Sequence, residues 1–300
     1  MGVWIDTDMG FDDIAAILVV VQSEFEIDGV SLVFGNTPLA QVKVNAAGAA
    51  SAFGWKFPIH TGRAMPVLGK LETAQAILGE TGIPTSGKSL PKVAALADSD
   101  AFAALCRWLE RQGQHRILAL GPLTNIAAVA LARPDLAARI TELVTSGNHT
   151  ASAEFNALAD PEALSIVIAH GLPLRMVDLD LCRKVLARPE DTEPMRNAGG
   201  ANAELITDMF SAYIRIGTSR GRPAMAIYDP SAAVAFVAPD VVSFRPARID
   251  VELQGALTRG RTIVETRATH ATFNAQFAAD IDADTARVII LAALVNEARK

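Results

Sequence analysis

The 300-residue chain predicts an α/β fold, a mainly parallel, mixed central sheet flanked by helices. Three observations predict it. Short apolar runs alternate with stretches of helical periodicity from the first residues through VDLDL at 177–181. Gly, Pro and Asp punctuate the joints between them. Hydrophobic residues make up 50% of the chain, enough to cover both faces of a sheet.

The elements follow in order. VWID (3–6) reads as a strand. DDIAAILVVVQS (12–23) reads as a helix whose acidic start suits the helix dipole. GVSLVFGN (29–36) is a second strand, and PLAQVKVNAAGAASAFG (38–54) a second helix ending at Gly54. FPIHTG (57–62) is a third strand. Residues 66–92 are rich in Gly, Pro, Ser and Thr, with one short helical piece. Long irregular stretches inside compact folds are commonly functional loops. RILALG (116–121) is a strand, and LTNIAAVALARP (123–134) a helix stopped by Pro134. ITELVTSG (140–147), DPEALSIVIAHG (160–171) and PLRMVDLD (173–180) read as strand, helix and strand. NAELITDMFSAYIRI (202–216) is an amphipathic helix, ARIDVELQG (247–255) and TIVETR (262–267) a late hairpin, and residues 283–300 a closing helix. No repeat, low-complexity tract or linker interrupts the chain, so residues 1–300 are expected to form one domain. A parallel sheet of this kind takes its ligands at the carboxyl ends of the strands.

Bulk composition excludes several classes. A net charge of −6 opposes binding to nucleic acid or an acidic membrane. The longest apolar runs, such as IAAILVVV, are too short to span a bilayer. No basic segment precedes Trp4 and Ile5, so no secretory signal is expected. Cys106 and Cys182 sit in apolar segments and read as buried free thiols in a reducing compartment. The expectation is a cytoplasmic enzyme acting on a small molecule.

The chemistry concentrates near the N-terminus. Asp6, Asp8, Asp12 and Asp13 fall within IDTDMGFDD, between the first strand and the first helix. Helix capping needs one or two carboxylates. Four repel one another, and a bound divalent cation removes the difficulty. Hard oxygen ligands suit Ca²⁺ or Mg²⁺ rather than Zn²⁺. Two chemistries follow. In one, the aspartates serve phosphoryl transfer with an Asp nucleophile. In the other, the cation positions a water that attacks a sugar carbon. The stretch by itself leaves both open.

IDTDMGFDDIAAI (5–17) resembles the D-x-D-x-G-x-D-D-A signature of the nucleoside hydrolases, the inosine-uridine-preferring nucleoside N-ribohydrolase family, with Ile14 in place of Ala. The likeness continues through VFGN (33–36), HTGRAMPVL (60–68), LGPLTNIAAV (120–129) and SGNHTASAEFNALADPEA (146–163). It runs on through VDLDL (177–181) and YDPSAAVAFV (228–237), in the family's order over nearly the whole chain. The resemblance implies the family's open α/β fold and Ca²⁺-dependent hydrolysis of ribonucleosides to ribose and free base. It also implies a homo-oligomer, dimer or tetramer, with a small-molecule ribonucleoside as its partner. On the same footing, Asp8, Asp13 and Asp229 bind Ca²⁺ through carboxylates and Thr124 through its backbone carbonyl. Asp8 doubles as general base on the attacking water, and Asn36 lines the site near that water. Asp12, Asn148, Glu154 and Asn156 grip the ribose hydroxyls, with Asp6 in support. A phosphohydrolase is disfavoured, because no Lys or Ser/Thr-rich phosphate cradle accompanies the aspartates.

The chain departs from the family where the base leaves. Many members place a His directly before the last metal Asp; here that residue is Tyr228. Pyrimidine-preferring members use a second His in a loop whose counterpart, AILGETG, has Leu78. Tyr228 is then an acid, although a phenol is a weak one at neutral pH, or it stacks on the base. The absences lean the expectation toward purines. Alternatives are a turnover-deficient homologue that binds ribose or nucleosides, and a hydrolase of another N-riboside with a better leaving group. Arg220 and Arg222 either reach the base or shape the pocket, or are surface arginines on a mobile loop; His149, which follows Asn148, either lies near the site or faces solvent from a loop.

Overall fold

The computed structural model describes residues 2–148, Thr150 and residues 152–300, so His149 lies outside the described residues. From the N-terminus come β1 (Gly2–Thr7), α1 (Phe11–Val21), β2 (Glu26–Leu32), α2 (Leu39–Phe53), β3 (Ile59–Thr61), α3 (Gln75–Leu78) and α4 (Ala101–Leu109). Next are β4 (His115–Ala119), α5 (Thr124–Ala132), α6 (Pro134–Ala137), β5 (Ile140–Gly147), α7 (Phe155–Ala159), α8 (Pro161–Ala169) and β6 (Leu174–Asp178). Then follow α9 (Leu179–Cys182), β7 (Leu186–Ala187), α10 (Glu193–Arg196), α11 (Ala203–Thr218), β8 (Met225–Ala226) and α12 (Asp229–Val237). The chain closes with β9 (Val242–Val251), β10 (Thr262–Glu265), β11 (Ala275–Ile281) and α13 (Ala283–Ala298).

Among the described residues, nine strands form one sheet in the order β10-β9-β11-β6-β5-β4-β1-β2-β3, while β7 pairs with β8 apart from it. Every pairing from β3 across to β11 is parallel. Strand β9 alone runs the other way, antiparallel to β11 and β10. The order reverses at β1, with β2 and β3 on one side and β4, β5 and β6 on the other. Such a switch point opens a crevice at the carboxyl ends of β1 and β4, and that crevice is where an open α/β sheet binds ligands.

Strand alternation sends Val3 and Ile5 to one core and Trp4 to the other. The first core lies under α1, α2, α11, α12 and α13, the second under α4, α5 and α8. Helix α1 is apolar all round, as a helix covered on every side must be, and Ile14 through Val20 are each at most 2% exposed. Truncating Ile17 to Ala would leave a cavity costing about 2–5 kcal/mol. This packing fixes the start of α1, and with it the aspartates.

Some boundaries differ from the sequence reading. Strand β2 ends at Leu32, so VFGN is a loop rather than strand, and it carries Asn36 to the crevice. Helix α5 stops before Pro134, but Pro134 then opens α6, because its fixed φ and missing N–H suit a first helical position. Helices α4 and α12 and strand β11 were not expected from the sequence. Helix α4 is capped by Asp100, whose carboxylate accepts from the Phe102 N–H at 3.0 Å. Strand β11 (AQFAADI) lacks clean alternation; pairing to β6 on one side and β9 on the other makes it a strand. No helix among the described residues is long and apolar enough to cross a membrane. Both cysteines are free and buried, as expected.

Candidate active site

The site begins at the turn from β1 to α1. Met9 there has φ +52° and is fully buried. A left-handed backbone on such a residue costs on the order of 1–3 kcal/mol, so surrounding contacts must enforce it. Thr7 and Asp13 supply them. Thr7 Oγ1 accepts from the Met9 N–H at 3.0 Å and donates to Asp13 Oδ1 at 2.5 Å. Asp13 also accepts from the Gly10 N–H at 2.8 Å. Asp8 is thereby turned toward the loop after β2. Asn36 donates to its carboxylate from the backbone at 2.6 Å and from the side chain at 2.8 Å. A Cβ on Gly35 would stand 1.9 Å from Asp8 Oδ2, so only glycine leaves room for this carboxylate.

Asp229, the first residue of α12, arrives from far along the chain. Carboxylate oxygens of Asp12, Asp13 and Asp229 lie within 4.8 Å of one another. Burial raises the pKa of Asp8, Asp12, Asp13 and Asp229, and mutual repulsion adds to the effect at Asp8, Asp12 and Asp229. Asp12 is pushed up to about 7, by burial first and by Asp13 next. Burial also raises Glu154. Among the described residues none of these five carboxylates forms a salt bridge. Buried like charges with no side-chain counter-ion and only oxygen donors fit a hard divalent cation.

Glu154 caps α7, accepting from the N–H groups of Asn156 and Ala157, both at 2.9 Å. Asn156 donates its side-chain amide to Leu120 O at 2.6 Å. With Asp8, Asp12, Asn36, Tyr228 and Asp229 they line a cavity of about 290 Å³. That is close to the lower end of the small-molecule range, about 300–1,000 Å³.

Two expected residues stand back from it. Asn148, at the end of β5, is fully buried, and its amide donates to Ser152 O at 2.6 Å. Thr124, opening α5, donates its hydroxyl to Asp160 Oδ2 at 2.6 Å. Neither side chain is among those lining the cavity. Asp160 has no role in the sequence reading, although it stands in the quoted DPEA motif. It also accepts from the Val67 N–H at 2.9 Å and the Ala163 N–H at 3.1 Å, joining α5, α8 and the loop after β3. Asp6 is likewise internal: Ser31 and Asn125 both donate to its Oδ1.

The other end of the cavity has different chemistry. Ile77, Leu78, Ile216, Met225 and Tyr228 form its walls, with Arg220 and Arg222 exposed at its edge. A larger groove of about 600 Å³ lies at the amino ends of β4, β5 and β6, the end of the sheet away from the aspartates. Its principal charges are already matched, because Glu142 accepts from both Arg116 and Arg175.

The sequence model of the inosine-uridine preferring nucleoside hydrolase family matches residues 3–287. The chain belongs to that family. It is therefore an N-glycosidase of the ribonucleoside hydrolase class, as the opening motif led one to expect. A curated relative, the "Pyrimidine-specific ribonucleoside hydrolase RihB" of Escherichia coli K12, is 27% identical over 271 residues, covering 87% of this chain and 86% of its own. Among solved structures, the "Purine-Preferring Ribonucleoside Hydrolase from Gardnerella vaginalis" superposes with a TM-score of 0.89 at 24% identity, covering 100% of this chain and 99% of its own. An "Inosine-Guanosine Nucleoside Hydrolase" gives 0.87 at 22% identity, with 98% of each chain covered. These likenesses show that the hydrolase has the mostly parallel α/β fold of the structures it resembles.

Proposed function

We propose that this hydrolase cleaves purine ribonucleosides, and that Asp8, Asp13, Asp229 and the Thr124 carbonyl hold a Ca²⁺ ion as it does so. The observation that carries the reading is the convergence of buried carboxylates from two distant segments, with no ion pair to any of them among the described residues. When bound, the ion orients the water and the ribose diol and lowers the pKa of that water. Asp8, held by both Asn36 contacts, takes the proton of the attacking water. Asp12, Glu154 and Asn156, which line the cavity, hold the ribose hydroxyls, and the carboxylates beside the ring favour the positive charge that develops on the sugar. The purine preference is supported by the apolar and aromatic wall of Leu78, Ile216, Met225 and Tyr228, which offers a flat base contact area and, among the described residues, no imidazole.

The test is ribose release from inosine, guanosine, adenosine, uridine and cytidine, with and without a chelator. Release from purine nucleosides that chelation stops and Ca²⁺ restores is the expected result. Undiminished release after chelation would overturn the Ca²⁺ assignment, and faster release from uridine the purine preference. The missing histidines also favour a second reading, a nucleoside-binding homologue without turnover. Calorimetric binding with no ribose released would establish that one instead.

A further inference from the structure

Breaking the bond between C1′ and the base nitrogen sends an electron pair to the base, which needs somewhere to spread it. The groups that line this end of the cavity are few. The Tyr213 hydroxyl is already spent on Ala226 O at 2.9 Å. Cys182 is buried against Tyr228 O, with its thiol pushed far up by burial. Among the described residues that leaves the Tyr228 phenol and two guanidinium groups. Four carboxylates line the same cavity, yet neither Arg220 nor Arg222 forms an ion pair or side-chain hydrogen bond with any described residue. They lie beyond contact with the acidic end and have their donors free.

The turn that presents them is built. Arg220 N donates to Gly217 O at 3.1 Å, Gly221 N to Thr218 O at 3.0 Å and Arg222 N to Gly217 O at 3.3 Å. Gly221 has φ +75°, which lets the chain reverse between the two arginines. A Cβ on Gly217 would come within 2.7 Å of Ala224 O, so the turn closes tightly on α11. Helix α11 is in turn fastened to the segment that follows α3, the helix of Ile77 and Leu78. Asp208 accepts from the Ser86 and Lys88 N–H groups at 2.8 and 3.2 Å, and Lys88 pairs with Glu204 at 2.5 Å.

We propose that Arg220 and Arg222 are the leaving-group residues of this enzyme, donating to N7 and O6 of a departing 6-oxopurine. The proposal rests on the hydrolase reading above. A guanidinium is a rigid fork of donors that matches two adjacent acceptors, the pattern that N7 and O6 present. Adenine places an amino donor where O6 would be, and uracil has no such pair of neighbouring acceptors. The guanidinium keeps its proton, so its contribution is electrostatic. In the balanced step the C1′–N9 bond breaks and both its electrons go to the purine, which leaves as an anion held by the arginines. The water oxygen bonds to C1′ and gives its proton to Asp8. That proton passes through solvent to the purine, so nucleoside and water become ribose and neutral base.

The test compares wild type, R220M/R222M and R220K/R222K on inosine, adenosine and p-nitrophenyl riboside, whose leaving group needs no such help. Expected for R220M/R222M is a fall in kcat/KM for inosine of about 100-fold or more, with the p-nitrophenyl riboside rate within about threefold of wild type. R220K/R222K keeps the charge without the fork and falls between. Wild type prefers inosine to adenosine by about 10- to 100-fold, and the double variant loses that preference. An equal loss on inosine and the aryl riboside, or no loss on either, overturns the proposal while leaving the hydrolase reading intact. A wild type that releases no ribose from inosine, adenosine or the aryl riboside overturns the hydrolase reading itself. Turnover of the aryl riboside also reports that each variant is folded.

Discussion

The two ends of the cavity are built differently. At the sugar end the carboxylates are set by the core: Asp8 directly after β1, Asp13 and Asp229 in the first turns of two buried helices, Glu154 as the cap of α7. At the base end the charged groups, Arg220 and Arg222, come from the turn after α11 and face solvent. One end has excess negative charge that burial makes costly; the other has two cations that water keeps comfortable. A sheet can hold fixed charges against their own repulsion because many hydrogen bonds and packed side chains oppose relaxation. Loops cannot, so they carry what differs between substrates.

Changes to the core-held end should therefore cost most. Asp8→Asn removes the proposed base while keeping its shape, and kcat should fall about 1,000-fold or more. Its melting temperature should stay level or rise, because one buried charge has gone from a repelling cluster. A large drop in melting temperature would show that the Asp8 charge serves the fold instead. Next in size is the sugar itself. 2′-Deoxyinosine should be turned over at least about 100-fold less efficiently than inosine, since its binding groups would be left unpaired. Comparable kcat/KM values would remove Asp12, Glu154 and Asn156 from that role.

Changes to the loop-built end should be milder. Tyr228→Phe keeps the ring and deletes the hydroxyl. If stacking is its part, kcat/KM for inosine should change less than about tenfold, consistent with the roughly 0.5–1.5 kcal/mol of an aromatic contact. A loss of about 1,000-fold would mark the phenol as the acid. The smallest effect is expected from Asp208→Ala, which removes one set of ties between the 86–88 segment and α11 and leaves Lys88–Glu204 in place. KM should rise a few-fold with kcat nearly unchanged, and stability should drop by about 1 kcal/mol. A kcat loss matching that of Asp8→Asn would erase the distinction between the two ends.

The same division separates what could be read in advance from what could not. The strand-helix alternation through β6, the closing helix and the late hairpin were legible because their periods and punctuation are local. Helices α4 and α12 and strand β11 were not, β11 because its strand character comes from neighbours distant in sequence. The acidic cluster announced itself as four like charges in nine residues, and a family signature led from there to Asp229. Nothing local marked Asp160, whose partners Thr124, Val67 and Ala163 converge on it only in the folded chain.

By itself the sequence determined the fold class, the family and the need for a cation at the first strand-to-helix turn, because hydrophobic period and crowded charge are properties of neighbouring residues. Only the tertiary structure decided which carboxylates meet. It brought Asp12 together with Asp13 and Asp229, gave Asp8 to Asn36, and turned the side chains of Asn148 and Thr124 away from the cavity. It also separated the unpaired arginines from the acids of the same cavity. The reason is physical: hydrogen bonding and repulsion act over a few ångströms of space, and distance along the chain does not measure that.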